Sequence, residues 1–183
     1  MTRIFPVLAS LSLSLIAVAL LLGLSIGDLY AQPSPETLAW RGRHLLTGTA
    51  AALGVVFVES IAVTYFIGTS RWCREVSEAY RLDPAHLGES TRLKRRAFPR
   101  CTLGMLAAVA IGALGAASDP GTGRANTADM APYHLAAALG GLAFIGLTYF
   151  QVWNAICENQ QVIGRIVEAV HRIRTAKGLD QGM

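Results

Sequence analysis

Charge is what this sequence has least of. Only 15% of its 183 residues are Asp, Glu, Lys or Arg, while 52% are hydrophobic; an ordinary soluble domain carries roughly a quarter charged residues. No polar stretch is long enough for a separate soluble catalytic domain, since the longest segment between apolar blocks runs from Ser70 to Ala97. Cysteine is scarce too. Cys73, Cys101 and Cys157 form no Cys-x-x-Cys pair, which argues against a thiolate metal site, and all three fall at the expected inner ends of helices, where a reducing compartment argues against a disulfide. The chain also lacks a Gly-rich phosphate loop, a His-Glu-x-x-His motif and a Gly-x-Ser-x-Gly motif, which excludes the common soluble-enzyme constellations.

What is present is apolar length. Four blocks, Pro6 to Ile26, Leu45 to Ile67, Phe98 to Ala117 and Ala131 to Ile156, each approach the ~20 residues that cross a ~30 Å hydrocarbon core. The expected fold is all-α: an integral membrane four-helix bundle made of two transmembrane hairpins, occupying residues 1–183 as one domain. The first block is read as a span, because its apolar run exceeds a secretion signal's core.

Basic residues set the expected orientation. Thirteen Lys and Arg lie in Arg3, the Arg71 to Arg100 segment and the tail after Ile156, against Arg41, Arg43 and Arg124 in the other two loops. Positive-inside bias then places both termini in the cytoplasm, with the bacterial cytoplasmic membrane as the expected location. The net charge of +4 reads as a topology signal, and no nucleic-acid partner is expected.

Two polar helical segments are expected on the cytoplasmic side. Residues 70–97 should form a helical hairpin that turns at Asp83-Pro84, a good N-cap followed by a favoured first helical residue. Its end carries Arg92, Lys94, Arg95 and Arg96, a cluster suited to anionic lipid headgroups. Residues 157–177 keep Ile163, Ile166, Val170 and Ile173 at helical spacing, which predicts an amphipathic C-terminal helix. The segment from Gly27 to Arg43, with Pro33 and Pro35, is expected to be extended.

One acid lies deep in an apolar block. Glu59 must be neutral, hydrogen-bonded or facing water at that depth. Counting 1.5 Å per residue from the helix ends brings Ser12 and Ser14 of the first helix to its level, and Thr148 is a further candidate partner. In the third block, Gly104, Ala108, Gly112 and Ala116 recur every four residues, a smooth face expected to pack against Ala136, Gly140 and Gly141 of the fourth helix.

The halves echo each other: Thr64-Tyr65-Phe66 precedes Cys73 as Thr148-Tyr149-Phe150 precedes Cys157, with equal spacing. Aligned on those triplets, the histidines at the outer helix edges, His44 and His134, fall six residues out of step. With the inner ends level, His44 would then lie ~9 Å further out than His134.

The principal functional reading is a non-catalytic accessory or scaffold subunit of a larger membrane complex, whose partners are the bilayer, other membrane subunits or a second copy of itself. It requires no cofactor and no metal. A second reading starts from His44 and His134, since two imidazoles on different helices of a membrane bundle suit axial ligation of iron. That arrangement resembles membrane cytochrome b subunits, and the resemblance implies an electron-transfer subunit carrying one haem b. A third reading is a small proton-coupled transporter using Glu59, by analogy with small four-helix multidrug exporters.

Overall fold

The computed structural model describes residues 1–179 and is all-helical there. Four helices, α1 (Ile4–Leu24), α2 (Pro35–Tyr80), α3 (Pro84–Ser118) and α4 (Thr127–Ala176), make up the bundle, with a short 3-10 turn at Pro120–Thr122. All four are long and apolar enough to cross a membrane. The helices pack as a ring in chain order, α1 against α2, α2 against α3, α3 against α4 and α4 against α1, with a lighter diagonal contact between α2 and α4.

Helix starts follow local chemistry. Ser34 accepts a hydrogen bond from the Thr37 amide ahead of Pro35, and Asp83 accepts one from Ala85 ahead of Pro84. Between α2 and α3 the chain reverses within three residues, with Arg81 in the left-handed conformation (φ 53°). The segment expected to be extended before His44 is helical from Pro35 onward. Proline at the first helical position leaves no amide unsatisfied there, so the start moves outward to include Trp40, whose ring lies under the Arg43 guanidinium.

The amphipathic C-terminal helix is continuous with the fourth apolar helix, and the hairpin at Asp83-Pro84 joins the polar extensions of α2 and α3. Neither Gly nor Pro interrupts α2 after Gly68 or α4 between Gly146 and Gly164, so hydrogen-bonded propagation carries both helices far past their apolar windows. A hydrogen-bonded joint secures these extensions: Ser90 of α3 donates to the buried Asn159 side-chain oxygen at 3.0 Å, and the Asn159 amide nitrogen donates to Tyr65 at 3.2 Å and Thr69 at 3.0 Å on α2. Large apolar side chains such as Leu46, Leu53 and Val109 point outward.

Candidate functional site: a histidine pair in an apolar cavity

The two histidines meet. His44 of α2 and His134 of α4 stand with ring centroids 6.0 Å apart and planes at 75°, so the expected ~9 Å stagger along the bundle does not exist. That expectation rested on level inner ends. The helices instead register through Thr148 against Glu59 and Asn159 against Tyr65, which puts Tyr149 near the level of Glu59 and leaves Tyr65 a deeper neighbour of Asn159.

Each ring is backed by a glycine of its hairpin partner. A Cβ on Gly23 of α1 would stand 3.0 Å from His44 Cε1, and a Cβ on Gly115 of α3 would stand 3.0 Å from His134 Cε1. His44 Nδ1 lies 2.9 Å from the Ala19 carbonyl. A carbonyl only accepts, so the imidazole proton sits on Nδ1 and the Nε2 lone pair is left bare, the arrangement usual for a metal-binding histidine. The Ile111 backbone stands in the corresponding place beside His134, without closing a hydrogen bond of ordinary geometry to Nδ1.

Both rings line a cavity of about 690 Å³ among all four helices, a size suited to a cofactor. Its walls are apolar and smooth, with Gly48, Gly112, Ala52 and Ala138 among them, and its deep end is bounded by Val55, Ala108 and Ile145. Gly112 therefore opens onto space and has nothing within 4 Å of a notional Cβ, as does Gly140. The regular small-residue face of α3 is split between cavity wall and packing surface, and it does not pack on Gly140.

Charge appears only at the mouth. Arg41, one turn before His44, donates through Nε and Nη2 to the two carboxylate oxygens of Asp119, both at 2.7 Å. This forked bond is the chief reason the Asp119 carboxyl titrates below the usual range, with the Gly121 amide also bonding it. Tyr30 closes the same rim by donating to the Ser118 carbonyl at 2.9 Å.

Below the cavity lies the acid. Glu59 is fully buried, with Thr148 Oγ1 3.3 Å from its Oε1, the Cys101 thiol beside it, and Gly104 so close that a Cβ would stand 2.5 Å from Oε1. Thr148 also donates to the Ile145 carbonyl at 2.8 Å. Of the two expected serines, Ser12 is buried nearby but bonds Tyr149 at 3.0 Å. Ser14 is exposed and donates to its own helix at Ser10, 2.8 Å away. Depth alone put Ser14 level with Glu59; two residues round a helix turn it to another face.

These contacts disclose an internal register that the Thr-Tyr-Phe triplets do not follow. Ser12, Ala19 and Gly23 of α1 correspond to Gly104, Ile111 and Gly115 of α3, each 92 positions later, while His44 and Glu59 of α2 correspond to His134 and Tyr149 of α4, each 90 later. Burial follows the same rule: Phe5, Ala9 and Ser12 map to buried Ala97, Cys101 and Gly104, and Val55, Val58, Ala62 and Phe66 to buried Ile145, Thr148, Val152 and Ile156. Glu59 faces Gly104 as Tyr149 faces Ser12. A glycine about twenty residues ahead of a histidine, present in each half, was the sequence signal for it.

The remaining predicted residues lie far from the pair. Arg92, Arg95 and Arg96 are exposed on α3 and Lys94 is half-buried, while Leu93 and Ala97 between them are buried. Among the described residues the cysteines are free and no group of three or more metal-ligating side chains is gathered. Comparison of the chain with protein-family models, with curated proteins and with solved structures finds no match.

Proposed function

We propose that this protein is a haem-b-ligating electron-transfer subunit of a membrane, with His44 and His134 as the two axial ligands. The observation that carries the reading is the facing of these two rings, 6.0 Å apart, across an apolar cavity. A metal midway lies ~3 Å from each ring centre, which ~2 Å metal–nitrogen bonds and the ~1 Å from an imidazole's centre to its own nitrogen fill. An edge-to-face pair of neutral rings accounts for the spacing alone. It does not account for the cavity around the pair, or for the glycine behind each ring.

The donor set favours a porphyrin over a bare ion. Two nitrogens are too few for a divalent cation that takes four or more ligands, whereas a haem brings four of its own and an apolar macrocycle to match the walls. The equivalent placement of Gly23 with His44 and of Gly115 with His134 suits two like ligands on opposite faces of one flat group. Held by His44 and His134, such a group would supply one-electron transfer. Here the Ala19 carbonyl would orient His44 and the apolar cavity walls would meet the macrocycle, while Glu59 lies fully buried beneath the site.

By the positive-inside bias, the Arg92 to Arg96 end faces the cytoplasm of a bacterial cell and the histidine pair lies near the opposite membrane face. Arg92, Lys94, Arg95 and Arg96 then meet anionic headgroups, and the exposed apolar faces meet lipid and neighbouring membrane subunits that exchange electrons with the haem. The test is the absorption spectrum of the gently solubilised protein, produced with adequate haem supply, before and after dithionite. Soret and α bands that respond to reduction, and that are lost in both His44→Ala and His134→Ala, are expected. A colourless wild-type protein overturns the reading.

A further inference from the structure

The pair of histidines is placed with near-equivalence by the two halves of the chain, but the mouth of the cavity is not. Arg41 has Ala131 at its corresponding position, and Asp119 has Gly27. An apolar cavity thus carries one ion pair, Arg41 with Asp119, on one side of its opening, its arginine one helical turn from His44. We propose that Arg41 binds a carboxylate of the porphyrin, so that the acidic edge of the ligand is held at the mouth and its apolar edge points towards Val55 and Ile145. This rests on the haem reading of the histidine pair.

The side chain is prepared for that task. Asp119 takes Nε and Nη2 in a forked bond, and among the described residues no acceptor takes Nη1. The guanidinium packs over Gly121, whose missing side chain leaves it room, since a Cβ there would collide with it. An arginine is suited to this role because it stays charged and presents several donors in one plane; Asp119 fixes that plane while a donor is left over. The opposite orientation would bury the carboxylates against Val55, Ala108 and Ile145, where no donor of comparable charge stands. Equivalent histidines cannot choose between the two orientations, so the choice falls to the asymmetric rim.

The test compares haemin with its dimethyl ester, which keeps the iron and ring but removes both acidic groups. The full chain, produced in haem-starved cells and purified in detergent, is titrated with each and read at the Soret band. Wild type is expected to bind haemin roughly ten- to a hundred-fold tighter than the ester, the range for a hydrogen bond to a charged group. Arg41→Gln should lower that preference to near unity while keeping the bis-histidine band shape, and Arg41→Lys should restore part of it. Equal wild-type affinity for the two ligands, or an undiminished preference in Arg41→Gln, overturns the assignment of Arg41 and leaves the histidine site standing. If Arg41→Gln fails to fold, the wild-type comparison and Arg41→Lys decide the matter. Failure of both ligands to bind any variant removes the haem reading itself.

Discussion

Gly104 and Glu59 fit each other so closely that a single methyl group on the glycine would stand 2.5 Å from the carboxyl oxygen Oε1. The acid sits where α2, α3 and α4 meet, with Thr148 on its other side. A polar group this deep is retained only where its neighbours leave it a place and a partner.

Gly104→Ala should therefore destabilise the protein by about 1–3 kcal/mol, the usual cost of overpacking, whereas Gly112→Ala, which adds a methyl to open cavity space, should leave stability nearly unchanged. Thermal unfolding of the two variants in the same detergent checks this. Equal midpoints would mean that Glu59 does not rest on Gly104.

Thr148 has one hydroxyl proton, and the 2.8 Å bond to the Ile145 carbonyl uses it. Its 3.3 Å contact with Glu59 Oε1 is the weaker of the two and is too little to hold a carboxylate charge away from water, so the fully buried acid is expected to be neutral. An infrared spectrum at neutral pH should contain the carbonyl stretch of a protonated, buried acid, absent in Glu59→Gln. Glu59→Gln should cost less stability than Glu59→Ala, because the amide keeps a donor for Thr148.

Gly23→Ala and Gly115→Ala should act alike, since each notional Cβ stands 3.0 Å from the Cε1 of the histidine it backs. If the histidine pair holds haem as proposed, displacing either ring by a few tenths of an ångström should lower its binding by about tenfold, on the scale of losses from disturbed outer-shell partners. Haem content per polypeptide, compared with Gly140→Ala as a control with open space, measures the effect.

Asn159 uses its carbonyl and its amide nitrogen in bonds to three helical neighbours while fully buried. Asn159→Leu should cost about 2–4 kcal/mol, because Ser90, Tyr65 and Thr69 each lose a partner. The loss should appear first as proteolysis near Arg81, where α2 and α3 turn; protection equal to wild type would sink the idea of a joint.

The Arg41–Asp119 pair gives the mouth an acid dependence. The folded carboxyl titrates below its ordinary value, chiefly through Arg41, so its stabilisation is complete above the unfolded carboxylate value of about 3.9 and is lost as pH falls through the lower folded value. The contribution is about 1 kcal/mol for a pair with partial exposure. Unfolding midpoints measured from pH 6 downward should fall more steeply for wild type than for Asp119→Asn.

Much of this architecture was legible in the chain itself, because hydropathy is read residue by residue. Four apolar blocks of bilayer length specified four helices suited to a membrane, Asp83-Pro84 marked the start of α3, and Glu59 stood out as an acid in need of a partner, with Thr148 among its candidates. Relative height between helices was another matter. A helix that continues past its apolar block carries no mark of where it stops sliding against its neighbours; that is decided by which side chains interlock, here Thr148 with Glu59 and Asn159 with Ser90, Tyr65 and Thr69. Only that packing brought His44 level with His134, gave Ser12 to Tyr149, and opened Gly112 onto a cavity while Gly104 closed on an acid.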